Sequence, residues 1–196
     1  MSATSLTGSV ISVSGNITGG NLTTAGILTV NSGAAATAIV NGAGNAVGNI
    51  GSAGTYFKQL FAQATTALYA DLAEMYVSDA PYISGTVVVF GGNQEVTIST
   101  TDSSRRVAGV ISTNPAHIMN SGLQGEFTVA VALTGRVPVN VIGNITAGDR
   151  VVTSNRAGVA EVLDMARYQP GVIIGKALQN YSGNGVGVIE VVVGRL

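Results

Sequence analysis

The 196-residue chain contains no cysteine and no tryptophan, and only 10% of its residues are charged. The absence of cysteine excludes disulfide bonds and thiolate metal sites. Ordinary globular domains carry about 25% charged residues, so this chain has few groups with which to keep a large surface hydrated. Its net charge of −1 does not favour a nucleic-acid or anionic-membrane partner.

Long apolar runs are missing as well. No run approaches the ~20 residues of a membrane span, and the first residues lack the basic and apolar regions of a signal peptide. We therefore predict no membrane insertion. His117 is the only histidine, and without cysteine it does not favour a zinc site, so no metal or cofactor is predicted. The 27 glycines favour short strands joined by tight turns.

Residues 1–55 form a first segment that contains no charged side chain; the first one in the sequence belongs to Lys58. Short runs of Val, Ile, Leu and Thr alternate with Gly and Asn, and "ISVSGNI" (11–17) aligns with "LTTAGIL" (22–28), as in stacked strand–turn units. Sheet edges in single chains are usually protected by charge or proline. An uncharged strand segment is therefore predicted to pair with its own copies in an intertwined trimeric β shaft. A flexible linker remains the alternative.

Residues 56–76 form a second segment, in which apolar residues recur at steps of three and four. This period predicts an amphipathic helical neck. In a trimer one face of that helix would form the interface between chains, through Phe61, Ala64, Leu68, Leu72 and Met75. Docking of the helix on its own β domain is the alternative. Asp71 and Glu74 would share a face of such a helix, either as an acid–base pair or as ordinary solvated carboxylates.

Residues 77–196 form a third, mainly β segment, predicted to fold as a β-rich barrel or β-clip-like head. Two pairs of stretches are similar: "GTVVV" (85–89) with "GDRVV" (148–152), and "RVAGVIS" (106–112) with "VIIGKAL" (172–178). The second member follows the first at nearly the same distance in both pairs, which indicates two related lobes. Chance similarity among Val- and Gly-rich strands is the alternative.

Several motifs carry a family resemblance over residues 48–196. The pattern I-G-S-x-x-x-x-F-x-x-x-F-A begins at Ile50, and "ADLAEMY" and "GVISTNPA" follow it. This part of the chain resembles the C-terminal modules of phage tail-fibre proteins. It is also similar, more distantly, to the intramolecular-chaperone domain of the peptidase G2 type found in phage neck-appendage proteins.

The resemblance implies a non-enzymatic, homotrimeric tail fibre of a phage virion. Its C-terminal module would bring three shafts into register, its N-terminal segment would bind other virion proteins, and its head would contact the host surface. Two alternatives remain: a self-cleaving intramolecular chaperone, and a capsid decoration or head fibre. No catalytic residues are carried over from the family. Few aromatic residues are available for a sugar site, namely Tyr76, Tyr82, Tyr168 and Tyr181.

Overall fold

The computed structural model describes residues 66–194 continuously and, before them, residues 25, 27–30, 39, 50, 52, 54–55 and 57–62. The chain divides into two units, residues 1–61 and 62–196. In the first unit, Ser52 and Thr55 form an isolated antiparallel bridge. The predicted β shaft over residues 1–55 lies almost entirely outside the described residues and stays a prediction.

Residues 66–194 form ten strands and one short 3-10 helix. In chain order they are β1 (Asp71–Ser78), β2 (Val87–Phe90), β3 (Val96–Ile98), β4 (Val107–Ile111), β5 (His117–Met119), β6 (Phe127–Val141), β7 (Arg150–Thr153), β8 (Ala160–Val162), the 3-10 helix (Met165–Arg167), β9 (Ile173–Ala177) and β10 (Gly187–Val193). Valine dominates these strands, as its preference for pleated, buried surfaces predicts.

The strands close into two five-stranded barrels that share β6. In the first barrel the order is β6-β4-β2-β3-β1, and β1 pairs back to β6. In the second it is β6-β8-β7-β9-β10, and β10 pairs back to β6. Strand β5 is additional and pairs in parallel with β1. The barrel head predicted from the sequence is thereby confirmed, and closure removes the sheet edges that a charge-poor chain protects badly.

The two barrels repeat each other residue by residue. In the first, Val88 on β2 lies opposite Ile98 on one side and Gly109 on the other. In the second, Val151 on β7 lies opposite Val162 and Gly175. The ladder between β2 and β4 and the ladder between β7 and β9 each shift register directly after these valines. The two related lobes predicted from the paired sequence stretches are therefore confirmed.

Strand β6 serves both barrels because it passes from one to the other at Gly135. This residue lies opposite Asp71 on β1 and opposite Val193 on β10. Its φ is 111°, and a Cβ placed there would lie 2.2 Å from the carbonyl oxygen of Ala70. Only glycine fits so close a backbone approach at a positive φ.

Each barrel encloses its own apolar interior, and the barrels also bury surface against each other. The first interior contains Val88, Val96, Ile111, Val129 and Val131. On the outside of this barrel, a row across four strands is also fully buried and consists of Ala73, Ala132, Val110 and Val87. The last three of these join the same apolar cluster as the interior of the second barrel. The barrels thus pack side by side in one core.

The helical neck predicted over residues 56–76 is wrong at its C-terminal end, and no helix occurs among residues 57–62 and 66–70. Asp71–Ser78 instead form strand β1, paired with β6 along its whole length. Ala, Leu, Glu and Met are good helix formers, but intrinsic propensity is a small energy term and tertiary strand pairing overrides it here. The end of the predicted neck therefore belongs to the first barrel.

Candidate functional site: the cleft between the barrels

A cleft of about 740 Å³ opens where the two barrels meet. The first barrel and its loops contribute Glu74, Tyr76, Phe90 and Arg105 to its lining, and Tyr168 comes from the segment after the 3-10 helix. Apolar side chains of β4, β6, β9 and β10 form the floor, among them Val107, Leu133, Ile174 and Val193. A concave site with an apolar floor and a few convergent polar groups is the usual form of a ligand-binding site.

Strand β1 places Glu74 and Tyr76 in the cleft together, because side chains two residues apart share a strand face. The hydroxyl of Tyr76 donates a hydrogen bond to Glu74 Oε2 at 2.8 Å. The Tyr76 ring meets the ring of Phe90 edge to face, with 5.7 Å between centroids and 69° between planes. Phe90 ends β2 and remains 44% exposed, so part of its ring is available to a ligand.

The pKa of Tyr76 is raised to about 12, first by burial and then by the hydrogen bond to Glu74 and its charge. Burial and a neighbouring carboxylate both disfavour the phenolate. The phenol therefore stays protonated at neutral pH and acts as a hydrogen-bonding group with an apolar ring.

An ion pair connects the loops on the two sides of the cleft. Arg167, the last residue of the 3-10 helix, pairs with Asp102 in the loop that precedes β4. Asp164 caps the N-terminus of this helix, and its side chain accepts the backbone N–H of Ala166 at 2.9 Å. This link holds the segment of Tyr168 near the loop that carries Arg105.

The cleft lining combines a few polar groups with aromatic rings. Its lining offers one carboxylate, one guanidinium and two phenols, and among the described lining residues there is no Ser, Thr, Cys, His or Lys. Such a set can donate and accept hydrogen bonds and stack apolar ring faces against a ligand.

Four of the five residues that the sequence placed on one helical interface lie among the described residues. Phe61 and Leu68 are 89% and 87% exposed, while Leu72 and Met75 are half-buried on β1. Leu72 and Met75 are three residues apart on a strand and therefore face opposite ways. Ala64 lies outside the described residues. The continuous helical face does not form at β1, and the trimer interface itself stays a prediction.

The carboxylates of Asp71 and Glu74 do not form a pair. Both lie on β1, but three residues apart, so that Glu74 faces the cleft while Asp71 is only 5% exposed at the start of the strand. Asp71 Oδ2 makes no hydrogen bond within the described structure. The shared helical face that the sequence predicted for these two carboxylates is therefore absent.

Sequence reasoning missed two members of the cleft, Phe90 and Arg105. Phe90 resembles any residue at the end of a Val-rich strand, and Arg105 resembles a loop cation, so neither carries a local signal. His117 lies exposed on β5, away from the cleft lining. Among the described residues no group of His, Asp and Glu is arranged to hold a metal ion. The same residues include no helix of the length and apolarity that a membrane crossing needs.

Comparison with known proteins gives a structural likeness only. No family model matches the chain, and no curated protein matches it. The crystal structure of the pre-mature gene product 12 of bacteriophage phi29 has a similar fold, with a TM-score of 0.51 and 14% sequence identity, over 69% of this chain. The matched region spans 23% of that protein's length.

A second solved structure is more weakly similar. It is the N base of the head fibre gp8.5 of bacteriophage phi29, with a TM-score of 0.38 and 12% identity, over 63% of this chain and 93% of that one. The first likeness shows that the fold of this chain occurs in a phage protein. Neither likeness identifies an intramolecular chaperone of the peptidase G2 type.

Proposed function

We propose that this chain is a structural, non-enzymatic component of a phage virion, in which its barrel domain ends a trimeric fibre. The observation that supports this most is the fold, which over 69% of the chain is similar to that of a phage protein. The composition of the preceding segment agrees with it, because a stretch without any charged side chain before Lys58 is suited to burial among several chains.

The proposed task of the barrel domain is to bring three uncharged segments together in register. Pairing of strands between chains is slow, and a slip of one residue turns every side chain to the wrong face. A domain that trimerises first raises the local concentration of these segments. Four apolar side chains in the sequence around the unit boundary are largely exposed in the single chain, namely Phe57, Leu60, Phe61 and Leu68. Burying them between chains would contribute about 25 cal/mol per Å².

In this proposal the N-terminal segment binds other virion proteins, and the barrel domain contacts the host surface through the cleft. The cleft suits a polar ligand with an apolar face, such as a sugar ring, because it combines partly exposed rings of Phe90 and Tyr168 with Glu74 and Arg105. A tail fibre is the form we propose. Labelling of the protein on intact particles distinguishes it from a head fibre or capsid decoration.

Light scattering of the purified chain tests the proposal directly. A trimer has three times the 19.6 kDa mass of one chain. A stable monomer over the micromolar range would contradict the proposed assembly. Mass spectrometry on the same sample tests the second candidate, a self-cleaving chaperone, because cleavage would replace the 19.6 kDa species by two fragments.

A further inference from the structure

The outer face of the second barrel carries three cations in one row across four strands. Arg136 on β6 lies opposite Val192 on β10, Val192 lies opposite Lys176 on β9, and Lys176 lies opposite Arg150 on β7. All four side chains are exposed. Neighbouring strands are about 4.8 Å apart, so the row is about 14 Å long. We call Arg136, Lys176 and Arg150 the cationic row.

Because the two barrels repeat each other, the row can be compared with the equivalent residues of the first barrel. The equivalent row there has the same register and consists of Ala73, Ala132, Val110 and Val87. Each of these side chains is 0% exposed. One fold position is therefore an apolar packing surface in the first barrel and a charged, solvent-facing surface in the second.

The cations of the row form no ion pair among the described residues, although Glu190 lies two residues from Val192 on the same face of β10. Both salt bridges found in residues 66–194 belong to Arg167, and neither involves the row. Lys176 and Arg150 face each other directly across two strands, which is an unfavourable arrangement for like charges. The chain has only nine Lys and Arg residues in all, so a third of them lie in this row. Such a concentration indicates a partner that supplies negative charge.

A shallow groove of about 310 Å³ runs beside the row. Arg150 and Lys176 form part of its wall, together with the apolar side chains of Leu163 and Met165. Asp149 also lines it, but its carboxylate accepts the backbone N–H of Thr146 at 2.8 Å and is thereby held by its own turn. A ligand could therefore follow the row with one side against the groove.

We propose that the cationic row binds a linear polyanion, a polymer with repeated phosphate or carboxylate groups such as occurs on cell surfaces. This rests on the proposed virion function and specifies the chemistry of one host contact. Arginine and lysine are the side chains that recognise phosphate and carboxylate groups. A nucleic acid fits less well, because the chain has a net charge of −1 and a pI near 5.7, and the row contains no aromatic side chain for base stacking.

The experiment measures binding of linear polyphosphate and of polygalacturonate to the full chain by biolayer interferometry at several salt concentrations. The test variant combines Arg136→Gln, Lys176→Gln and Arg150→Gln. A matched control removes the same charge from three residues that are not part of the row, through Lys58→Gln, Arg106→Gln and Arg156→Gln. We expect the row variant to lose at least tenfold in affinity for the polymer that binds, and its slope of log K against log salt to decrease by about 2, or ~0.7 per lost contact. The control variant should retain most of the binding.

Three results would overturn the proposal. The first is that the wild-type chain binds neither polymer at physiological salt. The charges would then serve only to keep the outer face of the second barrel soluble. The second is that the control variant loses as much affinity as the row variant, which would mean that binding depends on net charge alone. The third is that short duplex DNA binds more tightly than both polymers. Light scattering of both variants keeps these results separate from a failure of trimer assembly, and circular dichroism checks their folding.

Discussion

Gly109 and Gly175 occupy the same position in the two barrels, and both lie against the backbone of the neighbouring strand. A Cβ on Gly109 would be 2.4 Å from the carbonyl oxygen of Ala132, and a Cβ on Gly175 would be 2.1 Å from that of Val192. The two glycines lie on the strands β4 and β9, which pair with β6 and β10 respectively. Close contact between these strands therefore depends on the missing side chain.

We expect Gly175→Ala to destabilise the domain by about 3 kcal/mol, at the upper end of what overpacking costs. The new methyl group would collide with backbone atoms, which cannot move aside as the end of a flexible side chain can. Urea unfolding followed by circular dichroism measures the change. Gly122→Ala is the control, since a methyl group placed there would have no atom within 4 Å, and it should change the free energy of unfolding by less than about 0.5 kcal/mol. Equal stability of the two variants would show that β9 and β10 can move apart to accept the methyl group, and would contradict the expected cost.

The fully buried row of the first barrel (Ala73, Ala132, Val110 and Val87) and the cationic row of the second predict opposite effects on stability when their residues are exchanged. Val110 is 0% exposed, and its counterpart Lys176 is exposed. Val110→Lys introduces a charge between the barrels and should destabilise by about 3 kcal/mol or more. Lys176→Val should be tolerated within about 0.5 kcal/mol, since it is a surface change. Thermal unfolding of both variants decides this, and tolerance of Val110→Lys would contradict side-by-side packing of the barrels.

Tyr76 should titrate well above the ordinary tyrosine value of 10.0, at a pKa of about 12. Glu74→Gln should lower this pKa but leave it above 10.0, because burial is the largest cause of the shift. Glu95→Gln is the control and should have the smaller effect, since Glu95 contributes least. NMR titration of the ring resonances, assigned with Tyr76→Phe, measures the three values.

The raised pKa of Tyr76 also makes the stability of the folded chain depend on pH at high pH. The folded state favours the neutral phenol, so this contribution is fully present below pH 10.0 and is lost as pH rises toward about 12. Denaturation of the wild-type chain should therefore become easier over that window than denaturation of Tyr76→Phe. An identical pH dependence of the two proteins would contradict the raised pKa.

Leu68→Asp should abolish the proposed trimer without unfolding the barrels. Leu68 is 87% exposed in the single chain, so the substitution removes no contact within it that matters for folding. A charge between three chains would be desolvated and repelled by its copies. Ile83→Asp is the matched control, because Ile83 is 75% exposed in the loop before β2. Light scattering should find a monomer for the first variant and an unchanged mass for the second.

Much of the barrel domain can be predicted from local patterns in the sequence. Valine-rich stretches bounded by glycine mark the strands, and the two pairs of similar stretches predict two related lobes. These features are readable because strand preference and turn chemistry are local properties of the chain. Tyr76 and Tyr168 are among the few aromatic residues available for a ligand site, and both line the cleft.

The conformation of residues 71–76 and the composition of the two sites depend instead on tertiary pairing. Apolar spacing of three and four predicts a helix there, but pairing with β6 makes it a strand and sends Leu72 and Met75 to opposite faces. Phe90 and Arg105 reach the cleft from a strand end and a separate loop, and the cationic row joins residues from β6, β7 and β9. Such groupings depend on register between distant strands, which no local pattern in the sequence specifies.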